Sequence, residues 1–226
     1  MSEAPKVGVL LSGCGVFDGS EIHEAVSVLL ALDRGGARAV CLAPNVAQMH
    51  VVNHVTGDAT EETRNVLVEA ARIARGKITD LADARAEDLD ALILPGGFGA
   101  AKNLCDFAVS GAGAKVHPEV ARLLGEMLDE EKPIGVVCIA PAVLATVLRD
   151  LERACDLTVG DDPDTAAALE EMGINHVPCV VDEICVDRER NVVSTPAYMY
   201  DARISEVAAG IEKLVAEVLE RAAARG

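Results

Sequence analysis

The sequence predicts an α/β fold: a three-layer sandwich with a mostly parallel central sheet and a small antiparallel strand pair near the C-terminus. Short apolar, β-rich runs alternate with segments of helical periodicity, which is typical of strand–helix–strand units. The strand runs carry few polar residues, as strands do when helices cover both faces of their sheet. No internal repeat or linker divides the 226 residues, so we expect a single domain over residues 1–226.

The first predicted strand spans residues 7–11 and leads through a Gly-rich turn into a helix. Asp18 and Glu21 have the spacing of a capping box, and apolar residues then repeat at helical spacing up to Gly35. A second strand is expected at residues 39–43, followed by a loop over residues 44–60. Thr60 is expected to cap a second helix that stops at Gly76.

The second half continues the alternation of strands and helices. Strands are expected at residues 91–94 and 134–137, with a helix over residues 120–128 between them and another beginning near Pro141. A strand at residues 157–159, a helix at 164–172, paired strands at 180–186 and 192–194, and a last helix at 204–224 follow. One flavodoxin-like domain accounts for all of these elements.

Composition excludes several classes of function. The net charge is −17, with three Phe, two Tyr and no Trp, so binding to nucleic acid is not expected. The longest weakly polar run, residues 134–148, is shorter than the roughly 20 residues of a membrane span. The seven cysteines include no C-x-x-C pair and no secretory signal precedes Lys6, so we expect a reducing compartment and a cytoplasmic location.

Candidate functional residues follow three of the predicted strands. Residues 12–15 (SGCG) follow the first strand, residues 95–97 (PGG) follow the third, and Cys138 follows the fourth. Ligands bind beyond the carboxyl ends of the strands in an open parallel sheet. The fold is therefore expected to bring these three segments together.

Cys138 has the sequence context of a nucleophile elbow, since a strand precedes it and Pro141 suits the first turn of a helix. A thiol facing the positive end of a helix has a lowered pKa and a larger thiolate fraction. This predicts a reactive cysteine. The alternative is a buried cysteine that only fills space at the end of a strand.

Two further groups could act with this thiol. The backbone N–H groups of Gly96, Gly97 and Ile139 could form an oxyanion hole, although the glycines would equally suit an ordinary turn. Glu24, expected in the second turn of the first helix, could be protonated beside the thiol and move protons, or could be a solvated residue near a helix end.

Nucleotide and metal binding are not predicted. The glycines at 13, 15 and 19 miss the dinucleotide-binding spacing by one residue, and no acidic residue ends the second strand. His50 and His54 lie four residues apart, but no nearby carboxylate completes a metal site.

Three stretches together are similar to a known superfamily: residues 94–104 (LPGGFGAAKNL), 132–141 (KPIGVVCIAP) and 15–25 (GVFDGSEIHEA). They resemble the PfpI-like and parkinsonism-associated deglycase superfamily, which shares its fold with class I glutamine amidotransferase domains. The likeness to ElbB-type glyoxalases extends through residues 12–15, 53–54, 62–66 and 195–199. It covers almost the whole chain, as a single PfpI-like domain.

This resemblance implies a glutathione-independent glyoxalase, a lyase without cofactor or metal that converts glyoxal and methylglyoxal to 2-hydroxy acids. It implies Cys138 as the nucleophile, Glu24 as the acid that contacts it, and the N–H groups of Gly97 and Ile139 as the binding site of the oxyanion. The reaction would pass through a thiohemiacetal at the cysteine and could also be observed as deglycation. The resemblance further implies homodimers.

The sequence departs from related enzymes at three places. The late His-x-Glu of glutamine amidotransferases is absent, the histidine that follows the nucleophile of PfpI-type peptidases is replaced by Ile139, and Thr158 lies where many glyoxalases have a further histidine. A third catalytic partner therefore remains open among His176, His54 and His23. So do two other functions: a non-catalytic cysteine-based sensor of oxidative stress, and a subunit that binds a metabolite or a partner.

Overall fold

The computed structural model describes residues 4–225. Within that range the strands, in chain order, are β1 (Lys6–Leu10), β2 (Arg38–Ala43), β3 (Val51–Val52), β4 (Ala59–Thr60), β5 (Thr79–Asp80), β6 (Ala91–Leu94), β7 (Ile134–Val137), β8 (Asp156–Leu157), β9 (Asn175–His176), β10 (Cys185–Asp187) and β11 (Val192–Thr195). The α-helices are α1 (Ile22–Arg34), α2 (Val66–Ile73), α3 (Phe107–Ser110), α4 (Pro118–Asp129), α5 (Pro141–Asp150), α6 (Pro163–Glu171) and α7 (Ile204–Ala223).

The central sheet has seven strands in the order β10-β11-β7-β6-β1-β2-β5. Every neighbouring pair in it is parallel except β10 and β11, which are antiparallel. Two short pairs lie outside this sheet, β3 with β4 and β8 with β9. The predicted fold class, with a mostly parallel sheet and a small antiparallel pair near the C-terminus, is confirmed.

Helices cover both faces of the sheet because alternate residues of the central strands point to opposite sides. Leu92 and Leu94 of β6 lie in a core with side chains of α4 and α5, whereas Ile93 lies in a second core with side chains of α1 and α7. Residues on both faces of the strands are therefore buried, which explains their continuous apolar runs.

The predicted N-terminal caps of two helices need correction. The residue that caps α1 is Glu21 rather than Asp18, since a Glu21 carboxylate oxygen accepts the Glu24 N–H at 2.6 Å. The cap of α2 is Asn65, because Thr60 pairs with Val51 in the β3–β4 hairpin and lies too early in the chain.

The strand predicted at residues 180–186 begins only at Cys185. The chain before it crosses α7 closely, where a Cβ atom at Gly210 would lie 2.6 Å from the Val181 carbonyl oxygen. This segment therefore packs against α7 instead of extending the sheet. Over residues 4–225, none of the helices has the length and apolar character needed to cross a membrane.

Candidate active site

Cys138 occupies a sharp turn between β7 and α5. Its φ angle is +60°, which non-glycine residues rarely adopt, and its N–H donates to the Thr195 carbonyl oxygen at 2.9 Å. Such a conformation costs about 1–3 kcal/mol and is typical of functional sites. The predicted elbow is present, and its side chain is 7% exposed.

Glu24 reaches the cysteine from the first turn of α1, one turn earlier in the helix than expected. Its side chain is fully buried, and its carboxyl group lies beside Cys138, close enough for each group to shift the pKa of the other. One carboxyl oxygen accepts the Gly96 N–H at 2.9 Å, and the other accepts the Tyr198 N–H at 3.3 Å. The ends of β6 and β11 thus hold the carboxyl group of α1 beside the sulfur atom at the end of β7.

The environment favours the protonated form of Glu24. Burial, followed by the negative charge of Glu21, raises the pKa of Glu24 to about 8, against the hydrogen bonds from Cys138, Tyr198 and Gly96. The Glu24 carboxyl group is therefore mostly protonated at pH 7, and in its ionised form it can accept the proton of the Cys138 thiol.

The pKa of the Cys138 thiol is raised, not lowered as the sequence predicted. Burial has the largest effect, and the negative charge of Glu24 adds to it. The N–H groups of Gly97 and Ile139 act in the opposite direction because they point at the sulfur. The helix end therefore does not by itself make this cysteine a thiolate, and its ionisation depends on the proton that it shares with Glu24.

The two glycines after β6 leave no room for a side chain. A Cβ atom at Gly96 would lie 2.5 Å from the Cβ atom of Cys138 and 2.7 Å from a Glu24 carboxyl oxygen. Gly97 has a φ angle of +92°, and a Cβ atom there would lie 2.3 Å from the Glu21 nitrogen. The close approach of this turn to the thiol and the carboxyl group thus requires glycine.

We expect Gly96→Ala to destabilise the protein by about 1–3 kcal/mol, because the methyl group would overpack the site, and to slow alkylation of Cys138. Gly125→Ala is the matched control, since nothing lies within 4 Å of a Cβ atom there and helix α4 favours alanine by about 1 kcal/mol. Thermal unfolding and iodoacetamide labelling of both variants test this. Equal effects of the two substitutions would contradict the assigned close packing.

A pocket of about 290 Å³ opens over Cys138. Its lining combines apolar side chains, two carboxylates and the groups that contact the sulfur. The residues are Val16, Glu21, Gly97, Phe98, Cys138, Ile139, Asp162, Thr165, Tyr198 and Met199. Gly97 and Ile139, the residues proposed to bind the oxyanion, thus lie in the pocket wall. Glu24 lies behind this wall and reaches the pocket through its contact with Cys138.

The three histidines considered as a third partner lie elsewhere. His23 contacts the Tyr198 hydroxyl group at 3.0 Å, and its Nδ1 atom lies 3.9 Å from a Glu21 carboxylate oxygen, so it meets the pocket wall through these two residues. His54 accepts the Phe17 N–H at 3.2 Å, and His176 lies in β9 with a buried Nε2 atom that has no hydrogen-bond partner. Thr158 is buried, with its N–H bonded to Ser194. None of these histidines lines the pocket.

Asn103 is a buried residue of the site region that sequence reasoning missed. Its amide group donates to the carbonyl oxygens of Ser12 and Asp18, both at 2.9 Å, and its oxygen accepts the Met49 N–H at 2.9 Å. It thereby joins the π-helix Ala100–Leu104 to the loop that carries Val16. The only signal for this role was its place in the LPGGFGAAKNL stretch.

Comparisons with known proteins define the relationship of this chain to others. No family model matches it. Glutamine amidotransferase-like class 1 domain-containing protein 3, mitochondrial, of Homo sapiens is 49% identical over 227 residues, which cover 96% of this chain and 83% of the human protein. The mitochondrial ES1 protein homolog of Rattus norvegicus is 47% identical over 233 residues, covering 97% and 86%.

The chain belongs to the ES1 family of glutamine amidotransferase-like class 1 proteins. Among solved structures, an isoprenoid biosynthesis protein with an amidotransferase-like domain from Ehrlichia chaffeensis has a TM-score of 0.90 and 38% identity, covering 96% of this chain and 99% of that one. DJ-1beta of Drosophila melanogaster, with a TM-score of 0.53 and 18% identity over 99% and 98%, shares the fold alone. The human relative and the Ehrlichia chaffeensis structure support the predicted relationship to glutamine amidotransferase-like domains.

The predicted cytoplasmic location is contradicted. The curated ES1-family relatives are named mitochondrial proteins, which points to mitochondria rather than the cytoplasm. The prediction rested on the cysteine pattern, which indicates a reducing compartment without identifying which one.

Proposed function

We propose that this ES1-family chain is a cofactor-independent glyoxalase that converts small α-oxoaldehydes, such as glyoxal and methylglyoxal, to 2-hydroxy acids. The observation that carries the proposal is the adjacent pair of Cys138 and buried Glu24, with Cys138 in the lining of a pocket and the backbone N–H groups of Gly97 and Ile139 acting on its sulfur. A nucleophile, a proton carrier and donors for an oxyanion are the parts that this reaction needs.

The first step forms a carbon–sulfur bond. With Glu24 holding the shared proton, the thiolate adds to the aldehyde carbon and the π electrons of the carbonyl move to its oxygen. The N–H groups of Gly97 and Ile139 stabilise the developing oxyanion, which then takes the proton from Glu24. The product is a neutral thiohemiacetal beside a Glu24 carboxylate.

The second step moves hydrogen between two carbon atoms. The Glu24 carboxylate removes the proton from the former aldehyde carbon to give an enediol, then returns that proton to the neighbouring carbon, while the hydroxyl proton passes to the adjacent oxygen. One carbon is oxidised to a thioester and the other is reduced to an alcohol. Water then hydrolyses the thioester, releasing the Cys138 thiol and lactate or glycolate, so no external oxidant is needed.

Membership of the DJ-1/PfpI superfamily is consistent with glyoxalase or deglycase chemistry. The finer assignment to the ElbB-type glyoxalases is supported by the stretches at residues 12–15 and 195–199, which the fold brings to the same end of the sheet as Cys138. The same thiohemiacetal step would act on early aldehyde adducts, so deglycation and glyoxalase activity need separate assays.

The proposed activity is tested by NMR of the products. Purified protein in buffer without glutathione or added metal is incubated with methylglyoxal, and lactate is quantified against a protein-free sample. We expect catalytic formation of lactate with many turnovers per chain. Lactate formation no faster than in the protein-free sample would contradict the proposal.

We also infer that the chain forms a homodimer in mitochondria. Ile22, Val26 and Leu30 lie one turn apart on α1 and are all exposed, which leaves an apolar row for a second copy to cover. Light scattering is expected to give the mass of a dimer, and Val26→Glu should shift it toward the monomer. Val109→Glu, at an exposed apolar residue of α3, is the control. A monomeric wild-type protein would contradict the inference.

A further inference from the structure

The charges around the pocket over Cys138 are unbalanced. Glu21 and Asp162 are in its lining, and the described lining residues include no lysine, arginine or histidine. The charge of Glu21 acts at the pocket wall because, after burial, it raises the pKa of Tyr198, as it does that of Glu24. A substrate entering this space meets the carboxylates of Glu21 and Asp162. His23 stands outside the lining, with its Nδ1 atom 3.9 Å from a Glu21 oxygen, and offsets the charge of Glu21 only in its protonated form.

The nearby cation Lys102 is committed to other groups. Its Nζ atom donates to the Phe17 carbonyl oxygen at 2.9 Å and stands 5.4 Å from the centroid of the Phe98 ring. Phe98 is in the pocket lining, whereas Lys102 is not. The ammonium group thus packs on the Phe98 ring and is not part of the pocket lining.

The rest of the lining suits an uncharged substituent. Val16, Phe98, Ile139 and Met199 supply apolar surface, and the volume of about 290 Å³ lies near the lower end of pockets that hold small organic ligands. An apolar group gains from burial against such a wall, whereas a carboxylate or phosphate would lose its hydration without finding a positive partner.

We propose that this pocket is a charge filter, which admits carbonyl compounds that are uncharged or cationic and excludes those that carry a carboxylate or phosphate. Asp162 is its specificity-determining residue. The substrate class rests on the proposed function, since it concerns what reaches Cys138. Oxoacids and sugar phosphates would then be poor substrates even where their carbonyl group is reactive.

Asp162 can be neutralised without removing its structural role. It caps α6, with one carboxylate oxygen accepting the Thr165 N–H at 2.8 Å. Asn is as good a cap as Asp, so Asp162→Asn keeps this hydrogen bond and removes the charge. Glu21 is less suitable, since its carboxylate holds the Glu24 N–H and a change there would move the catalytic pair.

The filter is tested by labelling Cys138 with two reagents of similar shape, neutral iodoacetamide and anionic iodoacetate. Mass spectrometry of the Cys138 peptide gives the rate of labelling by iodoacetate divided by the rate of labelling by iodoacetamide. The same ratio in urea-unfolded protein is the reference. We expect a ratio at least ~5-fold below that reference in the folded wild type, and a rise of ~3-fold or more in Asp162→Asn at low salt. Glu171→Gln removes an equal charge from the exposed other end of α6 and should leave the ratio unchanged.

Each result of this experiment bears on the filter. Equal ratios in Asp162→Asn and Glu171→Gln, or a wild-type ratio equal to that of unfolded protein, would overturn it. Labelling does not require turnover, so the experiment also separates the two proposals. A ratio that responds to Asp162 without any conversion of methylglyoxal would retain charge selection and refute the glyoxalase. Conversion of methylglyoxal together with a labelling ratio that is unchanged in Asp162→Asn would retain the glyoxalase and refute charge selection.

Discussion

Cys138→Ser is expected to abolish the conversion of methylglyoxal to lactate, lowering kcat/KM by ~10³-fold or more. The hydroxyl group is a far weaker nucleophile than the thiol and forms no thioester. Among the cysteines, this one combines a positive φ angle, N–H groups aimed at its sulfur and a contact with a buried acid. Cys105, whose thiol pKa is also raised chiefly by burial, has a φ angle of −148° and no buried acid among the groups that act on it.

Cys14→Ser is the control for this substitution. Cys14 is half-buried in the turn after β1, and its thiol pKa is raised by burial and by nearby Glu69. The wild-type rate is expected in that variant, as measured by lactate formation with protein of confirmed thermal stability. If Cys138→Ser retained activity, the chemistry would have to lie elsewhere in the protein.

Glu24→Gln is expected to lower kcat/KM by about 10²–10⁴-fold, the usual contribution of a positioned acid–base group. The amide has nearly the shape of the carboxyl group, but it can neither take the thiol proton nor carry a proton between carbon atoms. In the wild type the two carboxyl oxygens accept the N–H groups of Gly96 and Tyr198. The amide nitrogen introduced by the substitution would replace one of these oxygens and would face an N–H group that it cannot accept. A second variant, Glu24→Asp, keeps the acid but withdraws it by one methylene and should lose less.

Steady-state kinetics of both variants with methylglyoxal measure this effect, and circular dichroism and thermal unfolding show whether each remains folded. A loss of activity in Glu24→Gln confined to twofold or threefold, in a folded protein, would mean that the buried carboxyl group is structural. The enediol step would then need another proton carrier.

The convergence of Cys138 with Gly96 and Gly97 could be predicted from the sequence because the fold class decides it. Carboxyl ends of parallel strands meet at one edge of the sheet, and β6 and β7 are neighbours. For Glu24 the sequence left two readings open, a proton carrier beside the thiol or a solvated residue near a helix end, and the contact with Cys138 came from the family resemblance. The strands themselves could be located from local periodicity, whereas their neighbourhood in the sheet came with the fold class.

The parts that could not be predicted depend on contacts between remote segments. Tyr198 donates to Glu24 across 174 residues, and Asp162, between β8 and α6, lies in the pocket lining far in the chain from Cys138's other neighbours. The pKa direction of Cys138 was predicted wrongly for the same reason. A helix end is visible in the sequence, whereas burial and the charge of Glu24 are not.

We propose that Cys138 and Glu24 act as one unit that shares a proton. Since the pKa of Glu24 is raised to about 8, the pair holds both protons below that pH and loses the first one as the pH rises through it. The form with a single proton is the reactive one, because the carboxylate can take the proton of the thiol.

The most direct test is the rate of Cys138 alkylation by iodoacetamide from pH 6 to pH 10, in the wild type and in Glu24→Gln. The wild-type rate is predicted to rise with a midpoint near pH 8. In Glu24→Gln the rise should move to higher pH, since a buried thiol must then ionise without a carboxylate to accept its proton. Superimposable profiles for the two proteins would contradict the claim that the acid governs the nucleophile.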